Sequence, residues 1–203
     1  MELNLKGKKA LITGGSKGIG LAIKKALEAE GVECISWSRT EGIDFDLGIP
    51  LGNILQLKKV DILINNFGGG GAWKWEDARL VMDRNYGLTE ILTRTFLKNK
   101  KKWGRVITIA SFYGKEKGPN PEFTAAKAAQ IAFMKSLAGQ YKGITFNTIC
   151  PGYIELGKSY LEAPKKIGKP EEVVGIVTFL CSNKAKHING ACITIDGGES
   201  HAF

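Results

Sequence analysis

The clearest chemistry in this 203-residue chain lies in Thr13-Gly14-Gly15-Ser16-Lys17-Gly18-Ile19-Gly20. Glycines permit a tight turn and let the backbone come close to a pyrophosphate, while the free N–H groups at the start of a following helix attract negative charge. The pattern needs a strand before it and a helix after it. Ala10-Leu11-Ile12 reads as that strand, and Leu21, Ala22, Ile23, Ala26 and Leu27 fall on one face of a helix. An anionic nucleotide is the expected ligand.

Composition narrows the alternatives. The formal net charge is +9, with the densest basic cluster at Lys98, Lys100, Lys101, Lys102 and Arg105. This cluster reads as a solvated helix end, and no aromatic-interleaved basic surface or recognised module points to nucleic acid. The four cysteines, Cys34, Cys150, Cys181 and Cys192, are widely spaced, and His187 and His201 are the only histidines, so no metal cluster is expected. No apolar stretch suits a signal peptide or a membrane span. The expectation is a cytoplasmic protein with reduced thiols, no membrane partner, and one domain over residues 1–203.

Strand-like and helix-like stretches alternate throughout, which predicts an α/β fold: a doubly wound, Rossmann-type parallel sheet in three layers. The expected strands are Ala10 to Ile12, Val32 to Trp37, Ile43 to Asp46, Val60 to Asn65, Arg105 to Ala110, Ile144 to Cys150 and Ile188 to Asp196. Only Ser38 to Gly42 separate the second from the third. A parallel crossover takes about a dozen residues, so one covering helix is missing there. Helices are expected from Leu21 to Glu30, over Pro50 to Lys59, from Glu76 to about Asn99 with Leu88, Ile91, Leu92, Thr95 and Phe96 on one side, from about Glu122 to Tyr141, and from Pro170. Gly68 to Gly71 read as a flexible loop.

Taken in order, Thr13 to Gly20, Asp61 with Asn65-Asn66-Phe67-Gly68, Asn85, Ser111, Lys127, Pro151-Gly152 and Asp196-Gly197-Gly198 resemble the motifs of the short-chain dehydrogenases/reductases, over about Leu5 to Gly198. The resemblance implies that Gly14, Ser16, Gly18, Ile19 and Gly20 surround a cofactor diphosphate. It also implies that Asp46, Asn66, Gly68, Pro151, Gly152 and Ile154 belong to the cofactor-binding surface. In the family an acidic residue near position 38 selects NAD. Here that position is neutral Ser38, followed by Arg39, and Lys17 adds a second cation, so NADP is expected, with NAD as the alternative that nearby Glu41 keeps open.

The resemblance further assigns Ser111 to polarise the substrate oxygen, Lys127 to hold the nicotinamide ribose, and Asn85 to support a water relay. The family's tyrosine falls on Phe123, which has no proton to exchange. Two tyrosines stand near by: Tyr113, two residues after Ser111, and Tyr153, after Pro151-Gly152. Either is a substitute donor or a packing residue. Leu156 replaces a threonine of the family pattern, and the substrate lid from Gly157 to Lys169 is short. The implied activity is NADP-dependent hydride transfer to or from a carbonyl or secondary alcohol, resembling 3-oxoacyl-carrier-protein reductases or acting on a sugar-type substrate. A nucleotide-binding protein that keeps the fold and has lost catalysis is the alternative. Family resemblance also implies a homodimer or homotetramer, formed by the two helices that follow Glu76 and Glu122.

Overall fold

The computed structural model describes residues 2–43, 57, 59–69, 78–98, 102–156 and 166–201. Among them, six parallel strands form one sheet: β1 (Lys9–Thr13), β2 (Glu33–Trp37), β3 (Ile62–Asn65), β4 (Gly104–Ile109), β5 (Ile144–Pro151) and β6 (Cys192–Ile195). Their spatial order is β2-β1-β3-β4-β5-β6. β3 and β4 are buried along their whole length, as strands covered on both faces must be, and their sequences are correspondingly apolar. All C-terminal strand ends lie along one edge, with Thr13, Asn65, Ile109 and Pro151 close to it. The order reverses direction at β1 and β3, the place where doubly wound sheets open a crevice for ligand.

Helices α1 (Gly18–Ala29) and α5 (Pro170–Leu180) pack together on one face, where Ile23, Leu27, Val173, Val177 and Leu180 close over Ile12, Ile64, Ile107 and Ile149. The other face carries α2 (Ala78–Met82), α3 (Leu88–Leu97) and α4 (Pro121–Leu137), with Leu92, Phe96, Met134 and Leu137 covering Leu11, Leu63, Val106 and Phe146. No helix among the described residues is long and apolar enough to cross a membrane.

Several sequence expectations shift. The helix expected from Glu76 to Asn99 is interrupted between α2 and α3 by a π-helical stretch, Asp83–Gly87. Ile91 is 55% exposed rather than buried, because the inward face of α3 runs through Leu88, Leu92 and Phe96 at four-residue spacing. The helix expected to reach Tyr141 stops at Leu137, where Ala138 turns to an extended conformation. The last strand is only four residues long. Arg105 does not belong to a solvated basic cluster: it is 2% exposed, donates to the main-chain oxygens of Gly104, Gly143 and Ser182 and to Asn183 Oδ1, and stacks on Trp103 at 4.3 Å. Its burial lowers the guanidinium pKa.

Of the expected strand Ile43 to Asp46, Ile43 is buried without joining the sheet, and the rest, Asp46 included, lies outside the described residues. The same holds for the helix over Pro50 to Lys59 except Leu57 and Lys59, for Gly70 and Gly71, for Lys100 and Lys101, and for most of the lid from Gly157 to Lys169.

Candidate active site

The glycine turn leaves β1 and enters α1. Gly14 (φ +68°) and Gly18 (φ +55°) occupy the left-handed region, where a side chain is strained. A Cβ on Gly20 would stand 2.5 Å from Asn66 Nδ2 and run into the Gly14 carbonyl. Asn66 explains that closeness. Its amide donates to the oxygens of Thr13 (2.9 Å) and Gly14 (3.2 Å), while Thr13 Oγ1 accepts from the N–H groups of Asn66 and Phe67. The end of β3 thus clamps the turn. The Phe67 ring packs with the cluster containing Leu11 and Trp37.

Lys17 is the N-cap of α1 and makes no side-chain cap, and the first turn of the helix contains no acid. The first N–H groups and the positive helix end therefore remain available to an anion. Ser16 and Ile19 flank this opening, half-buried, and Lys17 is exposed. A backbone cradle with no room for Cβ atoms and an uncapped helix start fits a dinucleotide diphosphate.

At the end of β2, Ser38 is buried and its hydroxyl donates to the Glu41 carboxylate, which also accepts from Ser36 Oγ at 3.0 Å. Arg39 is exposed. Glu41 therefore reaches back to the end of β2. Sequence reasoning noted only its nearness; its Ser36 and Ser38 partners depend on the short 3-10 turn Arg39–Glu41.

Ser111 follows β4, is 8% exposed, and caps a 3-10 turn, Phe112–Gly114, by accepting from the Tyr113 N–H at 3.2 Å. α4 begins at the N-cap Asn120, whose side chain accepts from the Phe123 N–H, and carries Lys127 one turn past Phe123. Lys127 is 4% exposed, donates to the Ile109 oxygen at 3.2 Å, and holds its ammonium 5.4 Å from the Phe123 ring centre. Burial lowers its pKa from 10.5 to about 8, against the opposing pull of Cys150. The Ser111 turn lies directly on α4, since a Cβ on Gly114 would be 2.8 Å from the Lys127 main chain.

Asn85 sits in the π-helical stretch, a feature that recurs at functional sites. Its side chain exchanges hydrogen bonds with the Gly69 backbone and donates to Val81 O. Gly68 (φ +152°) has no room for a Cβ beside Asn85 Oδ1, and that Cβ would be 3.4 Å from Lys127 Nζ. The structure thus brings Gly68, Asn85 and Lys127 together. Sequence reasoning missed Gln130, which is fully buried and donates to the Asn85 oxygen (3.1 Å) and to Thr89 Oγ1 (2.7 Å). Its position three residues after Lys127, on the same helix face, was the available signal.

Tyr113 and Tyr153 meet, their hydroxyls 2.5 Å apart and their rings flanking Phe112. After Pro151, Gly152 donates to the Ile195 oxygen, and the Ile154 side chain packs into the core. Leu156, 44% exposed, lies against the glycine turn, so that a Cβ on Gly18 would be 2.8 Å from its Cδ2.

Glycine turn, serine, lysine and asparagine thus stand at one sheet edge. A family model described as Enoyl-(Acyl carrier protein) reductase matches residues 54–200. The chain belongs to the short-chain dehydrogenase/reductase family. It is 33% identical to the 3-oxoacyl-[acyl-carrier-protein] reductase FabG of Buchnera aphidicola subsp. Acyrthosiphon pisum, over 97% of this chain and 98% of the relative. Against FabG of Escherichia coli the identity is 30%, with the same coverage. The Buchnera alignment runs over 244 residues against 203 here, so the relative carries segments that this shorter chain lacks.

Among solved structures, a Beutenbergia cavernae protein described as an NAD(P) dependent gluconate 5-dehydrogenase, with NADP bound at low occupancy, superposes with a TM-score of 0.84 at 25% identity, covering 98% of each chain. A dehydrogenase/reductase from Sinorhizobium meliloti 1021 gives a TM-score of 0.83 at 25% identity, covering 98% of this chain and 97% of its own. Family membership places this chain among the NAD(P)-dependent oxidoreductases, with the single-domain α/β architecture of these structures.

Proposed function

We propose that this protein is an NADP-dependent oxidoreductase that interconverts a carbonyl and a secondary alcohol, on a 3-oxoacyl or sugar-type substrate. The observation that carries this reading is the convergence of Gly68, Asn85 and Lys127 beside the Ser111 turn, at the sheet edge where the glycine turn opens. When bound, the dinucleotide supplies or accepts the hydride. The chain's residues do the rest. The glycine turn and the start of α1 hold the diphosphate; Lys17 and Arg39 pair with the extra phosphate that distinguishes NADP; and Lys127 binds the nicotinamide ribose. Ser111 donates to the substrate oxygen, and Asn85, fixed by Gln130 and the Gly69 backbone, steadies the loop beside Lys127.

A second reading has one specific observation in its favour. Phe123 faces Lys127 where the family has its acid, so the fold is also consistent with a nucleotide-binding protein without turnover. Fluorescence titration with NADPH, followed by absorbance assays on a panel of ketones and keto sugars, separates the two: binding with turnover supports the reductase, and binding without it supports the alternative. The same reading includes a homodimer or homotetramer. Exposed Ile91 on α3, and exposed Ala125 and Ala132 seven residues apart on α4, supply the apolar and small side chains that a helix-to-helix interface uses.

A further inference from the structure

All four cysteines are unbridged thiols, and two of them meet. Cys150 lies in β5 and Cys192 opens β6, with Thr148 paired to Cys192 and Thr194 to Cys150. Residues two apart on a strand share a face, so both thiols project from the same side of the sheet, and their Sγ atoms stand 3.3 Å apart. That side is the one α4 covers, since Phe146 projects from it into the cluster with Met134 and Leu137. Cys150 is fully buried, whereas Cys192 is half-buried. The pair also adjoins the candidate active site. Ile109 pairs with Ile149 and the Ala110 N–H donates to the Ile149 oxygen, which sets Ser111 beside Cys150, and the Ser111 N–H donates to the Cys150 sulfur. Lys115, just past the Ser111 turn, donates to Thr194 Oγ1 at 2.9 Å.

The two thiols are set apart in reactivity. The hydrogen bond from Cys150 lowers the Cys192 pKa to about 7 against the cost of burial, and the Lys115 charge adds to the effect. The same hydrogen bond, followed by burial, keeps Cys150 protonated. Burial pushes Cys34 up to about 12 and raises Cys181 as well, so neither competes as a thiolate. Resting on the reductase reading above, we propose that Cys150 and Cys192 form a peroxide-sensitive dithiol whose closure into a disulfide displaces Ser111 and switches the reductase off. The Cys192 thiolate attacks one oxygen of hydrogen peroxide: the S–O bond forms, the O–O bond breaks, and the departing hydroxide takes a proton from solvent to leave as water. Cys192 is then a sulfenic acid, the form that condenses with a thiol. Its negative charge, which held the proton on Cys150, is gone. The Cys150 sulfur attacks the Cys192 sulfur, the S–S bond forms, the S–O bond breaks, and hydroxide leaves as water with the Cys150 proton. Two electrons pass from the two thiols to one peroxide. The bonded Cys150 sulfur is drawn towards Cys192 and away from the Ser111 N–H, so the residue that donates to the substrate oxygen loses an anchor. A dithiol reductant reverses the closure by exchange.

The test starts from the reduced, unmutated protein treated with hydrogen peroxide, and needs no substitution. Intact mass should fall by two hydrogens, and digestion without reductant should yield one linked pair of peptides, carrying Cys150 and Cys192, with Cys34 and Cys181 still reactive to alkylation after unfolding. In Cys150→Ser, dimedone should label Cys192 as the trapped sulfenic acid; in Cys192→Ser, Cys150 should stay unlabelled. In the cofactor-free protein the backbone amide resonance of Ser111 should move on oxidation and return with dithiothreitol. Turnover of an activated ketone should fall by about tenfold or more and recover on reduction, as expected when a positioned group is displaced, with NADPH affinity unchanged. Cys150 and Cys192 left as thiols, a disulfide through Cys34 or Cys181 instead, a Ser111 amide that stays in place, or full turnover by the oxidised protein overturns the switch. Absence of turnover in the fully reduced protein, with the disulfide forming and the Ser111 amide moving, overturns the reductase reading beneath it and leaves the dithiol standing, so the two failures are told apart.

Discussion

The ammonium of Lys127 stands 5.4 Å from the centre of the Phe123 ring, with the Ile109 main-chain oxygen as its hydrogen-bond acceptor. A cation in this buried place is less stable than in water, and its pKa falls to about 8. Because the folded-state value lies below the ordinary 10.5, the unfolded chain binds more protons between those limits, and stability rises with pH across that window. Below about pH 8 the full penalty remains, on the order of 3 kcal/mol. Without cofactor, Lys127→Met should therefore be the more stable protein near pH 7, and its advantage should shrink as pH rises from 8 to 10.5. Urea midpoints of both proteins at pH 7 and pH 10 measure this; a constant difference contradicts it.

Glu41 accepts from Ser36 and Ser38 at the end of β2, where Arg39 is exposed. A carboxylate there repels a phosphate and occupies the Ser38 hydroxyl. NADPH should bind more tightly than NADH. Arg39→Ala should reduce that preference by about tenfold and Glu41→Gln should increase it several-fold, on the scale of one ionic contact. Fluorescence titration of both cofactors reads the ratio. Equal affinities in the unmutated protein would remove the charge argument.

Gly114 holds the Ser111 turn against α4, with a Cβ only 2.8 Å from the Lys127 main chain. The obstacle is backbone, which cannot swing aside as a side chain would. Gly114→Ala should lower stability by about 1–3 kcal/mol, the usual cost of overpacking, and displace Ser111 from Lys127. Thermal unfolding with and without NADPH checks the first effect, and kcat on an activated ketone the second.

Asn66 links β3 to the glycine turn through the oxygens of Thr13 and Gly14. Asn66→Ala should leave the sheet intact while loosening the cradle. The dissociation constants for NADPH and NADH should rise together by about tenfold, as expected for loss of one or two hydrogen bonds. A change in their ratio would instead assign Asn66 to direct recognition of one cofactor.

Much of the architecture was legible because its signals are local. The apolar runs of β1, β3, β4 and β5 and the glycines between Thr13 and Gly20 declare their elements within a few residues. Ser111 and Lys127 were placed by the strand and helix that carry them. Other features depend on distant partners. Arg105 looked solvated because its acceptors, Gly143, Ser182 and Asn183, are far away in sequence. The π-helical stretch at Asn85 is stabilised by Gln130, 45 residues on. The Tyr113–Tyr153 contact joins residues 40 apart through the packing of β4 against β5. Periodicity within one segment reports none of these.

Reductase chemistry at the Ser111 and Lys127 site is read most directly by the fall in NADPH absorbance when an activated ketone is added to the unmutated protein and to Ser111→Ala. Turnover is expected in the former and a loss of about 100-fold or more in the latter, at similar NADPH affinity. Flat absorbance in both, with NADPH firmly bound, would contradict it and leave a nucleotide-binding protein without reductase chemistry.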